Sequence, residues 1–276
     1  MRKIALLFVC LVAATPLKAA WWLQNEFVFG SSKTKLNSTT YFVQISTAWS
    51  TEASASFYTN STFSGWIPSG KLSLNRHFPR TLIGIRPLYY PPTTTTPGHA
   101  EGGTLYTLFQ IPLETEESSM QLGTSLSSIR HHSQGNFNET IFELQMVQSF
   151  FREFQFLLSG TGFYYDQSPK KMGRTSSVVN QMDVAMLQTV RPFTEFPEWT
   201  GSVQFARATD PESQNYFFLG YSATRAHNVS NLIHSLLTGM DFRLSETWHL
   251  NFSYNAWKRS GFSLNHYYAF TLRYAS

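Results

Sequence analysis

The sequence predicts an all-β protein: a single antiparallel up-and-down transmembrane β-barrel of twelve strands, with fourteen strands also compatible with its length. Aromatic residues make up 16% of the chain and charged residues only 14%, yet the mean hydropathy is −0.21. After the first 19 residues, no apolar run approaches the ~18 residues that a membrane-spanning helix needs. Because only alternate residues of a barrel strand face lipid, such a protein keeps a near-neutral mean hydropathy.

Period-two alternation of apolar and polar residues predicts the individual strands. It is clearest over residues 140–150, where Phe142, Leu144 and Met146 occupy even positions and we expect the even face to contact lipid and Glu139 to face inward. Further segments alternate in the same way over about ten residues, the length of a tilted membrane strand: residues 41–49, 105–113, 120–126, 154–165, 178–190, 240–244, 248–255 and 268–274.

The strand count depends on residues 191–231. Residues 199–205 and 215–223 both have the composition of strands, but counting both gives an odd total number of strands. An odd number would place the two chain ends on opposite sides, so we expect one of these segments to belong to a long connection.

The connections indicate the orientation of the barrel, since short turns face the periplasm and longer loops face outward. We expect short turns at residues 50–52, 115–118, 151–153 and 245–247, and external loops at residues 30–38, 91–103, 132–137, 166–175 and 258–263. Trp49, Trp199 and Trp248 then fall near the turn side, and Trp66 and Trp257 near the loop side. This placement predicts two interfacial aromatic girdles.

Residues 1–19 have the layout of a cleavable export signal, which leaves residues 20–276 as one barrel domain. Arg2 and Lys3 precede an apolar run, and Ala19 offers a small residue for cleavage. Cys10, the one cysteine of the chain, lies inside that run. We therefore expect Sec-dependent export to the outer membrane of a Gram-negative-type bacterium, with the assembly machinery and outer-membrane lipids as partners. The scattered net charge of +4 predicts no nucleic-acid partner.

One short stretch, SSIRHHSQGNFNET at residues 127–140, contains a candidate catalytic group. His131 precedes Ser133 by two residues, so on a strand both share one face about 6.6 Å apart. His131 is a candidate base for Ser133 Oγ, and Asn138 on the next strand a candidate orienting amide, as in serine hydrolases. The backbone amides around Gly135 are the candidate oxyanion donors.

This chemistry requires the motif to face the lipid. The alternation of residues 120–126 instead turns Ile129 and His131 inward. A β-bulge at Ser127 and Ser128 would turn them outward together with Ser133, so the hypothesis includes that bulge.

HHSQG followed by NFN resembles the His-x-Ser-Asn-Gly motif and the downstream Trp-Asn of outer-membrane phospholipase A, over residues 131–138. The resemblance implies a twelve-stranded barrel that hydrolyses acyl esters of phospholipids, depends on Ca²⁺ and acts as a homodimer. It gives Ser133 the role of nucleophile, His131 that of base and Asn138 that of orienter. Gln134 and Asn136 depart from the family, in which an Arg at the latter position helps form the calcium site. The sequence itself indicates no metal ligands.

Two other functions fit the same fold. The first is a small porin or substrate-specific channel, and the second is a structural or adhesive barrel that acts through its loops. For a channel we expect polar side chains to line the lumen, namely Glu143, Gln145, Arg207, Asp241 and Arg243.

Overall fold

In a computed structural model, the chain forms a closed barrel of fourteen antiparallel strands, each paired with its neighbours in sequence and the first paired with the last. The structure describes residues 20–61, 65–92, 99–113, 118–131, 135–150, 153–168, 196–210, 212, 214–227 and 230–276. The strands are β1 (Trp21–Gly30), β2 (Lys35–Ser46), β3 (Trp49–Thr59), β4 (Ile67–His77), β5 (Thr81–Tyr90), β6 (Ala100–Pro112), β7 (Ser118–His131), β8 (Gly135–Phe150), β9 (Phe154–Tyr165), β10 (Pro197–Ala208), β11 (Tyr216–Ala226), β12 (Ile233–Arg243), β13 (Trp248–Arg259) and β14 (Asn265–Ala275).

Fourteen is the higher of the two strand counts that the sequence allows. The two segments that together gave an odd strand count are both strands, β10 and β11, and they pair with each other. The expectation that one of them belongs to a long connection was therefore wrong. Residues 178–190, predicted as a further strand, lie outside the described residues. None of the described residues belongs to a helix long and apolar enough to cross a membrane.

Several connections are shorter than the sequence predicted, because the strands extend into polar residues. The expected turn at residues 50–52 lies inside β3, and the chain turns instead at Thr47 and Ala48. Only a 3-10 turn, Ser31–Lys33, and one further residue separate β1 from β2. β8 begins at Gly135, within the expected loop at residues 132–137.

Alternate residues of each strand face the membrane and the barrel interior, as the alternation predicted. On β8, Phe142 and Leu144 are exposed on the outside, whereas Glu139 is buried on the inside. A band of exposed leucine and aromatic side chains surrounds the barrel, and this apolar exterior suits the hydrocarbon layer of a membrane.

An aromatic girdle lies at the short-turn end of the barrel. Trp248 at the start of β13 and Trp21 at the start of β1 both contact Tyr274, with ring centroids 4.9 and 5.3 Å away. Trp49 begins β3 at the same end and lies 4.8 Å from the Arg76 guanidinium. The prediction of a girdle on this side is confirmed for Trp49 and Trp248.

Two tryptophans were assigned wrongly. Trp199 stands near the start of β10, which follows the long connection after β9, so it lies at the loop end. Trp257 does lie at the loop end, but it shares the inward face of β13 with Asn255 and stacks on Tyr267 at an interplanar angle of 7°. Trp257 is therefore an interior residue and not part of a girdle.

Candidate functional site

The backbone places the predicted catalytic motif at the outer end of β7 and β8. His131 is the last residue of β7 and pairs with Gly135, the first residue of β8. Ser133 lies between them, outside the described residues. Asn138 pairs with Ser128, three positions below the level of His131, which corresponds to about 10 Å along a strand.

The bulge that the catalytic hypothesis required is absent from β7. The pairing of β7 with both neighbours runs without a register shift from Ser119 to His131. Ile129 is consequently buried in the interior, where it packs with Phe137 and Leu88. An unbroken ladder and this apolar burial together favour the regular register, so the predicted outward turn of Ile129 was wrong.

The structure gives Asn138 a partner that the sequence did not indicate. The Asn138 side chain is exposed on the outer face, and its Nδ2 donates to Asp166 Oδ2 at 2.7 Å. Its backbone N–H donates to Asp166 Oδ1 at 3.0 Å. The structure thus joins Asn138 to Asp166, while catalysis by Ser133, His131 and Asn138 stays a prediction.

Calcium binding rests on the resemblance alone. Over the part of the chain that the structure describes, no three histidine, cysteine or acidic side chains come together to hold a metal ion. Both Asp166 oxygens accept hydrogen bonds from Asn138. Calcium dependence stays a prediction from the resemblance.

The barrel interior forms the second candidate site, and its β3–β8 side is filled by hydrogen-bonded polar side chains. Asn75 Nδ2 donates to Ser50 Oγ at 3.2 Å, and the Tyr106 hydroxyl donates to Asn75 Oδ1. The Arg86 guanidinium lies 4.9 Å from the Tyr106 ring, and Arg86 Nε donates to Ser73 Oγ at 3.1 Å. These hydrogen bonds restrict the motion of the side chains that they join.

Apolar side chains close the outer end of the interior on the same side. They are Leu88, Tyr90, Ala100, Ile129 and Phe137, and we call this cluster the apolar cap. Phe196, which precedes β10 and is 2% exposed, lies edge-on to Phe137 with centroids 6.5 Å apart. Solute passage is therefore disfavoured on this side of the barrel.

The opposite side, between β9 and β1, encloses a cavity of about 400 Å³. All its lining residues occupy inward positions, and they include the neutral polar residues Gln155, Gln204, Asn251, Ser253, Asn255 and Thr271. Tyr216, Phe218 and Tyr267 add aromatic surface. Two carboxylates, Glu26 and Asp241, complete the lining, and none of the residues described around this cavity is basic.

A basic row lies next to the cavity at the short-turn end. Arg243, His249 and Arg273 are paired directly across β12, β13 and β14. His249 interacts electrostatically with both arginines and with Asp241. Asn251 Nδ2 also donates to Asp241 Oδ2 at 3.4 Å. The positive charges of Arg243 and Arg273 thus lie near the Asp241 carboxylate at this end of the interior.

The predicted lumen residues are confirmed in four of five cases. Glu143 and Gln145 are buried on the inner face of β8, Asp241 lines the cavity, and Arg243 belongs to the basic row. Arg207 was assigned wrongly: it shares the outward face of β10 with Phe205, and its guanidinium lies 5.5 Å from the Phe154 ring.

Sequence reasoning missed Glu26, Asn255 and Tyr267 as cavity residues. Each of them is adjacent in sequence to an outward aromatic residue, namely Phe27, Tyr254 or Tyr268. Strand alternation therefore indicates that all three face inward. Alternation along each strand does not show that these strands enclose one cavity.

No family model matches the chain, and no curated protein matches it. Solved structures do resemble it in fold. The CymD monoaromatic hydrocarbon channel superposes with a TM-score of 0.55 at 8% identity, covering 100% of this chain and 92% of that one. A bacterial polysaccharide outer membrane secretin superposes with a TM-score of 0.56 at 12% identity, covering 93% of this chain and 97% of that one. CdiB from Acinetobacter baumannii gives 0.53 at 8% identity, covering 95% of this chain and 60% of that one.

These likenesses and the apolar exterior define the class of protein. The chain is a bacterial outer-membrane β-barrel with fourteen strands, and its place is the outer membrane of a Gram-negative-type bacterium.

Proposed function

We propose that this protein is a narrow, solute-selective channel of the outer membrane. The observation that carries the proposal is the cavity between β9 and β1, a polar space inside a closed barrel whose other side is filled. A structural or adhesive barrel has no need of an internal cavity lined by carboxylates and amides, since it costs free energy to leave an interior unpacked.

The lining favours small polar solutes that carry both signs of charge. Glu26 and Asp241 attract a positive group, whereas Arg243 and Arg273 of the basic row attract a negative group at the short-turn end. In the confined space of a narrow lumen, charges act more strongly than in bulk water. A small zwitterion matches this arrangement better than a simple anion or cation.

Conductance in planar bilayers tests the proposal. We expect discrete, low-conductance steps from the refolded protein in KCl. In a salt gradient, the Glu26→Gln and Asp241→Asn double variant should shift the reversal potential toward anion selectivity, because the cavity then loses both negative charges. Arg243→Gln together with Arg273→Gln should shift it in the opposite direction.

Liposome swelling tests the solute class. Glycine should enter liposomes that contain the protein faster than a neutral sugar of similar size, and the Glu26→Gln and Asp241→Asn double variant should reduce that difference. The variant Glu198→Gln is a matched control, since its carboxylate pairs with Arg225 and is 43% exposed. Wild-type protein that gives neither conductance nor swelling would refute the channel.

A further inference from the structure

The outer face of the barrel contains a depression of about 610 Å³ near its loop end, separate from the cavity. Pro87, Gly103, Ser128 and Asn138 form one row across β5 to β8, each paired directly with the next. Small side chains in this row leave a trough in the wall, and we refer to it as the lateral trough.

Larger residues bound the lateral trough on both sides. The row toward the short-turn end consists of Ile85, Leu105, Leu126 and Thr140, three of which are large apolar residues that are at least half exposed. The row toward the loop end contains Tyr89, Glu101, Arg130 and Asn136. The trough thus lies between an apolar band and a charged row.

The strand ladder is also interrupted beside the trough. The pairing of β4 with β5 stops after Lys71 with Leu88 and resumes at Leu74 with Ile85. Pro87 lies in the gap and has no backbone N–H to donate. The edge of the trough at β5 is therefore a place where the strand ladder is incomplete.

The surroundings of the trough favour a lipid as its occupant. Its lining is mostly apolar and faces the hydrocarbon layer, where acyl chains replace water. An apolar depression in that layer is filled most favourably by an acyl chain, which gains van der Waals contact with the floor and both sides of the trough. At the charged row, Arg130 is exposed and suits a phosphate, while Glu101, which is paired directly with Arg130 across β6 and β7, suits an ammonium group.

We propose that the lateral trough binds one zwitterionic phospholipid, with an acyl chain along the row from Pro87 to Asn138 and the headgroup at Arg130 and Glu101. The lipid is a bound structural ligand of the barrel wall. Lipid binding in the trough requires neither conduction through the cavity nor hydrolysis by Ser133.

A glycine on the trough floor provides a sharp test. A Cβ added at Gly103 would lie 3.8 Å from the nearest atom, the Arg86 carbonyl oxygen, so a larger side chain fits without strain and projects into the trough. In native mass spectrometry of protein incubated with phosphatidylethanolamine in detergent, we expect one lipid to stay bound to wild type. Gly103→Leu should weaken that retention about tenfold, because the leucine side chain would occupy the space of the acyl-chain methylenes on the trough floor.

Two other outward glycines serve as matched controls. Gly160 on β9 and Gly201 on β10 have no atom within 4 Å of an added Cβ, so leucine is tolerated there as well. Gly160→Leu and Gly201→Leu should retain the lipid as wild type does. Equal loss in all three variants would overturn the proposal, since it would show a general effect on detergent binding.

Further variants separate the headgroup from the chain and exclude other occupants. Arg130→Gln should reduce retention of phosphatidylethanolamine less than Gly103→Leu does. If Gly103→Leu does not fold, Ser128→Leu tests the same space from the neighbouring strand. Preferential retention of lipid A over phosphatidylethanolamine, or no retention by wild type, would refute the assignment.

Discussion

Asn138 and Asp166 are joined by three hydrogen bonds at the outer end of β8 and β9. The Asn138 backbone N–H and Nδ2 donate to the two Asp166 carboxylate oxygens, at 3.0 and 2.7 Å, and the Asp166 N–H donates to the Asn138 carbonyl at 3.1 Å. A charged acceptor makes such bonds stronger than neutral ones. The pair fixes the start of the long connection that leads from β9 to Phe196.

The first prediction concerns the stability of this pair. Asp166→Ala and Asn138→Ala should each lower the free energy of unfolding by about 1 kcal/mol, since both side chains are exposed and water replaces part of what is lost. The double variant should cost less than the sum of the two. Urea unfolding from lipid vesicles measures all three. Additive costs would show that the two side chains do not stabilise each other.

The second prediction concerns Ser133 and its hydrolytic role. If the resemblance to outer-membrane phospholipase A extends to activity, the refolded protein should release fatty acid from phospholipid–detergent micelles, and Ser133→Ala should abolish the release. The assay is run with Ca²⁺ and with chelator, because the resemblance implies a dependence on calcium. Equal background release from wild type and Ser133→Ala would show that the motif is a polar loop tip without a catalytic role. The channel proposal would not be affected.

The third prediction concerns the size of the cavity. Ala269 lines it, so Ala269→Trp should fill much of its volume and lower single-channel conductance severalfold. Ala223 faces outward from β11, so Ala223→Trp is the matched control and should conduct as wild type does. Unchanged conductance in a folded Ala269→Trp barrel would show that ions pass elsewhere.

The alternation of outward residues was sufficient to predict the barrel, because lipid contact imposes one apolar side chain at every second position. β8 shows this best, since Phe142 and Leu144 are exposed as expected and Glu139 is buried. Strands β1, β3, β4 and β5 were not predicted. The outer face of β4, for example, includes Pro68, Gly70 and Arg76. A strand with such a face has no clear apolar period.

The interior was harder to predict than the exterior. Arg207 could have been placed correctly, because it lies two residues after Phe205 on the same outward face. The cavity could not be predicted from the sequence. It depends on how strands β9 to β14 and β1 arrange small and large inward residues around one space. The Asn138–Asp166 pair joins residues 28 positions apart, and no local pattern specifies such a contact.

The last prediction concerns Phe196, which combines deep burial with unusual backbone geometry. Its side chain is 2% exposed and lies edge-on to Tyr165 with centroids 5.7 Å apart, and its carbonyl accepts a hydrogen bond from the His227 N–H at 3.1 Å. Its φ of 49° is in the left-handed region, which costs a residue with a Cβ about 1 kcal/mol. The ring contacts must offset that cost.

Removal of the ring should therefore reveal the backbone strain. Phe196→Ala should destabilise the barrel by about 3 kcal/mol, since it loses the buried ring and keeps the Cβ. Phe196→Gly should be more stable than Phe196→Ala by about 1 kcal/mol, because glycine adopts positive φ without a steric penalty. Urea unfolding of both variants gives the comparison, with Phe217→Ala on the outer face of β11 as a control for the loss of an exposed ring. An alanine variant more stable than the glycine variant would show that the backbone at Phe196 relaxes out of the left-handed region once the ring is gone.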